Sequence, residues 1–292
     1  MFIVSRRSKL LSAALIALAL CPAMTSVARG EDENRYGPFN AFDLRSKYNT
    51  SFFPEPLLAD EMDADQEVRF NWLHAEKTNH RADEASVEIE KSFHLLTVEV
   101  EVPYEREVET EDGEKSRSEG VGSIEIAARH PFYQYSAPSR GIDLTLGARV
   151  ELAIATNSEV SHDNEIVAGV YETLALGEHF SIQASAAYSA LFGPDEGGSQ
   201  IVEYAVVLGY NFDIQSHVLW RVTPVLELNG ESGLNRDNRG DTELVGAAGA
   251  VFTFDSLGLV QPKWSIGYVF PVDEAARDEF RWGVVSSLIF EY

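Results

Sequence analysis

Few residues in this chain have the types and spacing that covalent chemistry needs. His179 and Ser181 stand two apart, the spacing that places both on one face of a strand, and Ser161 directly precedes His162. A serine beside a histidine is the beginning of a nucleophile and its base. Neither pair has a recognisable third partner or a motif around it, so an enzyme is not expected. The sequence has no glycine-rich phosphate loop and no metal-ligand spacing. Asp60, Glu61, Asp63, Asp65 and Glu67 crowd acids together, but without the glycine and ordered oxygens of a calcium loop. Repulsion among solvated carboxylates is the expected state there, and no metal or cofactor is implied.

Electrostatic chemistry is open to charges that recur at alternate positions. The acids of this kind are Glu99, Glu101, Glu125, Asp143, Glu151, Glu172, Glu203 and Glu227; the bases are Arg129, Arg149, Arg221, Lys263 and Arg281. In a β-strand the two-residue period puts the charges on one face and the apolar side chains on the other. If the apolar face meets lipid, the charges must line an interior, because Arg or Lys facing lipid at the midplane costs about 2–4 kcal/mol. Such an interior either lines and polarises a wet pore or fills a narrow barrel with ion pairs. Cross-strand pairing of Arg129 with Asp143, and of Arg149 with Glu125, is expected if the intervening turn centres near Ser136.

The elements that must position these residues are strands almost throughout. Leu144, Leu146, Ala148, Val150, Leu152 and Ile154 alternate with Asp143, Thr145, Gly147, Arg149 and Glu151. Similar splits recur in runs of roughly ten residues, the length a tilted strand needs to span a bilayer. Twelve strands are expected, near residues 66–75, 85–93, 95–107, 120–130, 141–156, 165–176, 179–192, 200–212, 217–230, 243–254, 260–271 and 279–292. The strands near 165–176 and 243–254 divide poorly into two faces. The connections alternate in character: 76–84, 108–119, 157–164, 193–199, 231–242 and 272–278 are polar and mostly long, whereas 177–178, 213–216 and 255–259 are tight. Long loops at one end and short turns at the other is the outer-membrane pattern, and an even count closes an antiparallel barrel. The stretch 130–140 departs from it by being long on the short side.

The N-terminus agrees. Arg6, Arg7 and Lys9 precede an uncharged apolar run, 10–20, too short to cross a bilayer as a helix. Residues 1–30 read as a cleaved signal peptide, with small residues before cleavage at Ala28 or Gly30. Bulky Leu20 before Cys21, the chain's single cysteine, disfavours lipidation. Cys21 leaves with the leader, so neither disulfides nor thiolate chemistry are expected. Removing Arg6, Arg7, Lys9 and Arg29 takes the bases from 23 to 19 against 47 acids, a net charge of −28. Nucleic acid is therefore not an expected partner. A content of 45% hydrophobic residues argues against disorder, and membrane insertion must use strands because no later run is apolar for long enough to be a helix.

The final strand carries the most specific pattern, with Phe280, Trp282, Val284, Leu288, Phe290 and Tyr292 alternating with Arg281, Gly283, Val285, Ser287 and Glu291. It resembles the C-terminal signal that barrel-assembly machinery reads, with Trp282, Leu288, Phe290 and Tyr292 as its residues. The segments 99–104, 120–129 and 224–230 resemble recurrent strands of the outer-membrane transporter family named after the meta-cleavage pathway of phenol degradation. The resemblance covers residues 66–292, and it departs at Ser123, where members usually carry Asp. It implies an all-β, antiparallel transmembrane barrel of about this strand number, and passage of small, often aromatic or hydrophobic solutes.

Three segments are thus expected: the signal peptide 1–30, an N-terminal arm or plug 31–65, and the barrel 66–292. The arm mixes Phe39, Phe42, Tyr48, Phe52, Phe53, Pro54 and Pro56 with acids, without a period. The function expected is passive passage of a small-molecule solute through the outer membrane, with weak cation preference from eight inward acids against five bases. The alternative is a structural or adhesive barrel whose acidic loops bind divalent ions or lipopolysaccharide. Outer-membrane lipid and lipopolysaccharide are expected partners in either case.

Overall fold

A computed structural model describes residues 34–36, 52–60, 62, 66–77, 79–93, 95–111, 114–156, 158–161, 164–192, 199–214, 216, 218–235 and 240–292. The expected leader, Glu61, Asp63, Asp65 and His162 lie outside these. Twelve strands form the barrel: β1 Glu67–Glu76, β2 His80–Phe93, β3 Leu96–Glu111, β4 Ile124–Ala137, β5 Ile142–Ile154, β6 Asn164–Leu176, β7 Phe180–Phe192, β8 Gln200–Tyr210, β9 Leu219–Gly233, β10 Thr242–Phe254, β11 Gln261–Pro271 and β12 Trp282–Glu291. Each pairs antiparallel with its sequence neighbours, and β12 pairs with β1, so the sheet closes. The all-β, twelve-strand antiparallel barrel is therefore present as expected.

Its polarity is inside out relative to a soluble protein. Ile89, Val150 and Leu226 are each more than half exposed on the outer face, while Glu67, Glu90, Glu227 and Arg129 are buried inside. Large exposed apolar residues at alternate positions around a closed sheet suit a lipid environment. Among the described residues no helix is long and apolar enough to cross a membrane.

The connections sharpen the expected pattern. The loop expected over 76–84 shrinks to 77–79, because β1 and β2 continue pairing up to Glu76↔Arg81. The 108–119 loop is largely a hairpin: a strand at Glu114–Val121 pairs with the far half of β3, and β4 takes over after a break at Gly122 and Ser123. The long stretch 130–140 is mostly strand. β4 runs on to Ala137, with a register shift between Pro131 and Tyr133. Beyond the expected edge of β4, Asn34–Tyr36 pairs with it antiparallel, Asn34 opposite Ser136. Two short turns meet at one end: Gly141 and Gly177 both have positive φ, and a Cβ on Gly141 would fall 2.9 Å from the Gly177 Cα. Glycine answers both constraints at once. At the other end, helix α1, Glu274–Glu279, lies in the β11–β12 loop, capped by Asp273 accepting from the Ala276 amide at 2.9 Å.

Candidate functional site

The inward charges are joined by a segment of the N-terminal arm that crosses the barrel interior. Residues 52–60 make polar contacts with side chains from several sides of the wall. Gln183 on β7 donates to the Pro54 carbonyl at 2.7 Å, and Asn211, just after β8, donates to the Phe52 carbonyl at 2.8 Å. Glu227 on β9 accepts from three consecutive amides: Leu57 at 2.8 Å, Leu58 at 3.1 and 3.2 Å, and Ala59. Glu55 takes hydrogen bonds from Arg69 on β1 and from Lys263 on β11, the latter at 2.7 Å. Asp60 pairs with Arg149 on β5.

Apolar contacts complete the docking. Leu57 and Met62 belong to one cluster with Tyr171, Val207, Val225, Val251, Val269 and Val285. Burying a side chain such as Leu57 contributes about 1.5–3 kcal/mol. A Cβ on Gly267 would fall 2.8 Å from Leu57 Cδ1, so the wall is recessed there to admit it. From the loop end Phe280 packs against the same cluster. Cavities of about 250 and 210 Å³ flank the arm, the first bordered by Tyr171, Glu203 and Asn229, the second by Glu84, Glu101 and Glu125.

The wall charges brace one another. Lys263 also meets Glu291 at 2.9 Å, and Arg69 meets Glu67 at 2.9 Å and Glu88 at 3.8 Å. Arg129 reaches Glu90, and Glu99 at 3.2 Å, while Arg149 reaches Glu151, and Glu99 at 3.7 Å. Glu99 thus lies between two guanidinium groups. Buried ions of this kind tolerate loss of a partner badly, since the survivor keeps its desolvation cost.

Most of the expected residues face inward: Glu99, Glu101, Glu125, Arg129, Asp143, Arg149, Glu151, Glu203, Arg221, Glu227 and Lys263 share the inner parity of their strands. Arg221 bonds Asp213 at 2.7 Å and lies over the Trp220 ring. Two residues are corrected. Glu172 faces outward, in register with Leu146 and Ala184, because β6 turns Tyr171 and Thr173 to the interior. Arg281 precedes β12 and is exposed, since pairing with β1 begins only at Trp282↔Glu76.

The expected cross-strand pairs are replaced. The β4–β5 turn centres on Pro138–Arg140, which sets Arg129 opposite Arg149, Glu125 opposite Ala153 and Asp143 opposite Ser136. His179 and Ser181 do not share a face: His179 stacks on outward Tyr210 with 5.5 Å between centroids, whereas Ser181 is buried inside. Ser161 meets Ser123 at 2.8 Å. Glu67, Arg69, Glu88, Glu90 and Glu291 are interior charges that the same two-residue period marks, beside Val68, Phe70, Val87, Ile89 and Phe290. Glu55 and Asp60 carry no such mark.

Trp282, Leu288, Phe290 and Tyr292 lie on the outer face of β12. Phe290 meets Phe70 edge-on at 6.4 Å, Trp282 meets His74 at 5.3 Å, and Lys91 lies 4.9 Å over the Tyr292 ring. These contacts bind the last strand to the first two.

No protein-family model matches the sequence, and no curated protein does. The fold is similar to that of an outer membrane channel from Pseudomonas putida F1, with a TM-score of 0.55 and 10% identity over 82% of this chain and 100% of the other. The NanC porin aligns with a TM-score of 0.48 and 10% identity, over 78% of this chain and 99% of its own. The β domain of the Bordetella autotransporter BrkA gives 0.48 and 10%, over 79% and 100%. The first likeness shows the fold, a β-barrel of the outer-membrane type.

Proposed function

We propose that the protein is a non-enzymatic channel of the bacterial outer membrane for passive passage of small solutes, closed at rest by its own N-terminal arm. The carrying observation is the manner in which the arm is held. It is gripped by polar side chains of the inner wall and flanked by two cavities, whereas a barrel filled for strength alone is served by wall side chains. In this reading residues 1–30 are a cleaved leader, residues 31–65 the plug, and Trp282, Leu288, Phe290 and Tyr292 are read by the barrel-assembly machinery. Lipopolysaccharide and outer-membrane lipid surround the apolar belt. The resemblance to the phenol meta-cleavage family makes small aromatic or hydrophobic compounds the solutes of choice, and the excess of inward acids favours cations over anions in the open state.

A structural or adhesive barrel is the second reading, favoured by the occupied lumen and by the acidic hairpin of 105–119 that extends β3. Single-channel recording separates the two. The channel reading expects rare openings in the wild type and frequent ones in Gly267→Val, whose side chain collides with Leu57. If verified folded Gly267→Val neither conducts nor lets small solutes swell liposomes, the structural barrel takes its place.

A further inference from the structure

We infer that the pair Arg69 and Lys263, with the valine wall beside it, is a binding site for a small monocarboxylic acid with an apolar body, and that Glu55 and Leu57 of the arm occupy it as an internal stand-in. The inference rests on the arm being a removable plug and adds the class of ligand that displaces it.

Glu55 is buried to 2% exposure, with its carboxylate taking one hydrogen bond from the Arg69 guanidinium and one, at 2.7 Å, from Lys263 Nζ. A carboxylate between two desolvated cations makes the strong, charge-assisted kind of hydrogen bond. The cations are positioned independently of the arm, Arg69 by Glu67 and Lys263 by Glu291. Each cation thus keeps a wall carboxylate when Glu55 leaves. Two residues further along the arm, Leu57 enters the cluster of Val207, Val225, Val251, Val269 and Val285, over the recess at Gly267. The lumen thus receives a carboxylate followed at short distance by a branched hydrocarbon, which are the two halves of a medium-chain or ring-bearing carboxylic acid.

The surroundings restrict the ligand further. Glu67, Glu88 and Glu291 around the two cations disfavour a second negative charge, so dicarboxylates are rejected. Because the arm is tethered, Glu55 is present at an effective concentration on the order of millimolar, and a free acid must reach that range to compete.

The chain from residue 31 onward has no cysteine, so Leu58→Cys provides a single reporter of arm position. In the folded full barrel, the labelling rate of this thiol by a membrane-impermeant maleimide is measured with hexanoate, hexanol, hexylammonium or adipate. Hexanoate at tens of millimolar should raise the rate about tenfold, and the other three should not. Lys263→Gln should abolish the response and Lys263→Arg restore it, with heat-modifiability confirming that each variant folds. Glu55→Gln should raise the rate without ligand and lower the hexanoate concentration needed. Equal acceleration by hexanol or hexylammonium overturns the carboxylate site. So does an unchanged rate in hexanoate when Gly267→Val, in the same reporter background, labels fast. Conduction by Gly267→Val decides the channel reading separately, since the thiol readout requires no ion flow.

Discussion

Gly209 and Pro54 are in mutual contact across the lumen wall: a Cβ on Gly209 would fall 2.6 Å from Pro54 Cγ. Gly209 faces inward on β8 and is itself hydrogen-bonded into the sheet opposite Ser181 and Val225. The same Cβ would fall 2.6 Å from Ser181 Oγ, so the glycine leaves room both for the Pro54 ring and for a wall hydroxyl.

Gly209→Val should consequently unseat the arm while leaving every ion pair of the wall intact. Overpacking of this kind costs about 1–3 kcal/mol, which corresponds to a shift between seated and unseated arm of about fivefold to about a hundredfold. Single-channel recording should show the open fraction rising by that factor, with heat-modifiable migration retained. An unchanged open fraction in folded protein would place the current path, if there is one, away from the arm.

Glu227 should be the most sensitive single position for the arm. Glu227→Ala leaves the amides of Leu57, Leu58 and Ala59 without their acceptor, and buried unsatisfied donors cost about 1–3 kcal/mol each. Limited proteolysis of the arm in folded protein should become at least tenfold faster. Glu227→Lys should do the same while moving the reversal potential toward anions, so its selectivity change should come with increased conductance. A selectivity change at wild-type conductance would mean that Glu227 borders an already open path.

Lys263→Met should destabilise more than Glu55→Gln. It strips a counter-charge from both Glu55 and Glu291, whereas Glu55→Gln leaves Lys263 with Glu291 and Arg69 with Glu67. Breaking a buried pair by removing one partner costs about 3–5 kcal/mol. Urea unfolding in lipid should rank Lys263→Met below Glu55→Gln and Glu55→Gln below wild type. The reverse order would show that Glu55 is the main counter-charge of Arg69 and Lys263.

Replacing Phe290 and Tyr292 by Asp should sharply lower the amount of folded protein in the outer membrane. Phe290 packs on Phe70 of β1 and Tyr292 under Lys91 of β2, so the two aromatics secure the seam that closes the cylinder. Quantifying heat-modifiable protein in outer-membrane fractions checks this, and normal levels would remove these residues from the assembly signal.

The sequence pattern made the wall legible and left its contents hidden. Period two works on β5 and β9, where Val150, Leu152, Leu226 and Leu228 face out and Arg149, Glu151 and Glu227 face in. It fails on β6, where Val167, Tyr171 and Ala175 are buried inside and Ile166, Ala168 and Val170 are outside. Both faces are apolar there because the inner one meets the arm, Tyr171 in the cluster of Leu57 and Met62 and Ala175 in that of Phe52 and Phe53. Glu172 is then the polar residue that the two-residue period marks as inward, although it lies on the outer face. The register of β4 and β5 differs from the expectation because the turn lies at Pro138–Arg140 and not near Ser136, an offset that no hydropathy pattern reports, while the shift beside Phe132 changes the pairing by a single residue. Glu55 and Asp60 lie in a segment without regular structure, whose partners are set by three-dimensional closure. Nothing in their local spacing distinguishes them from the other acids of residues 55–67.

The hold of Glu227 on the arm bears on how such a segment changes over generations. Three backbone N–H groups do the binding, and every residue except proline supplies one. As far as these hydrogen bonds go, Leu58 and Ala59 are therefore interchangeable with other non-proline residues, their side chains answering only to the apolar cluster they pack against, and the requirement for an acceptor is recorded on the barrel side alone. Two barrels with unrelated arms are then able to hold them in one way, provided a carboxylate stands at this place on the ninth strand.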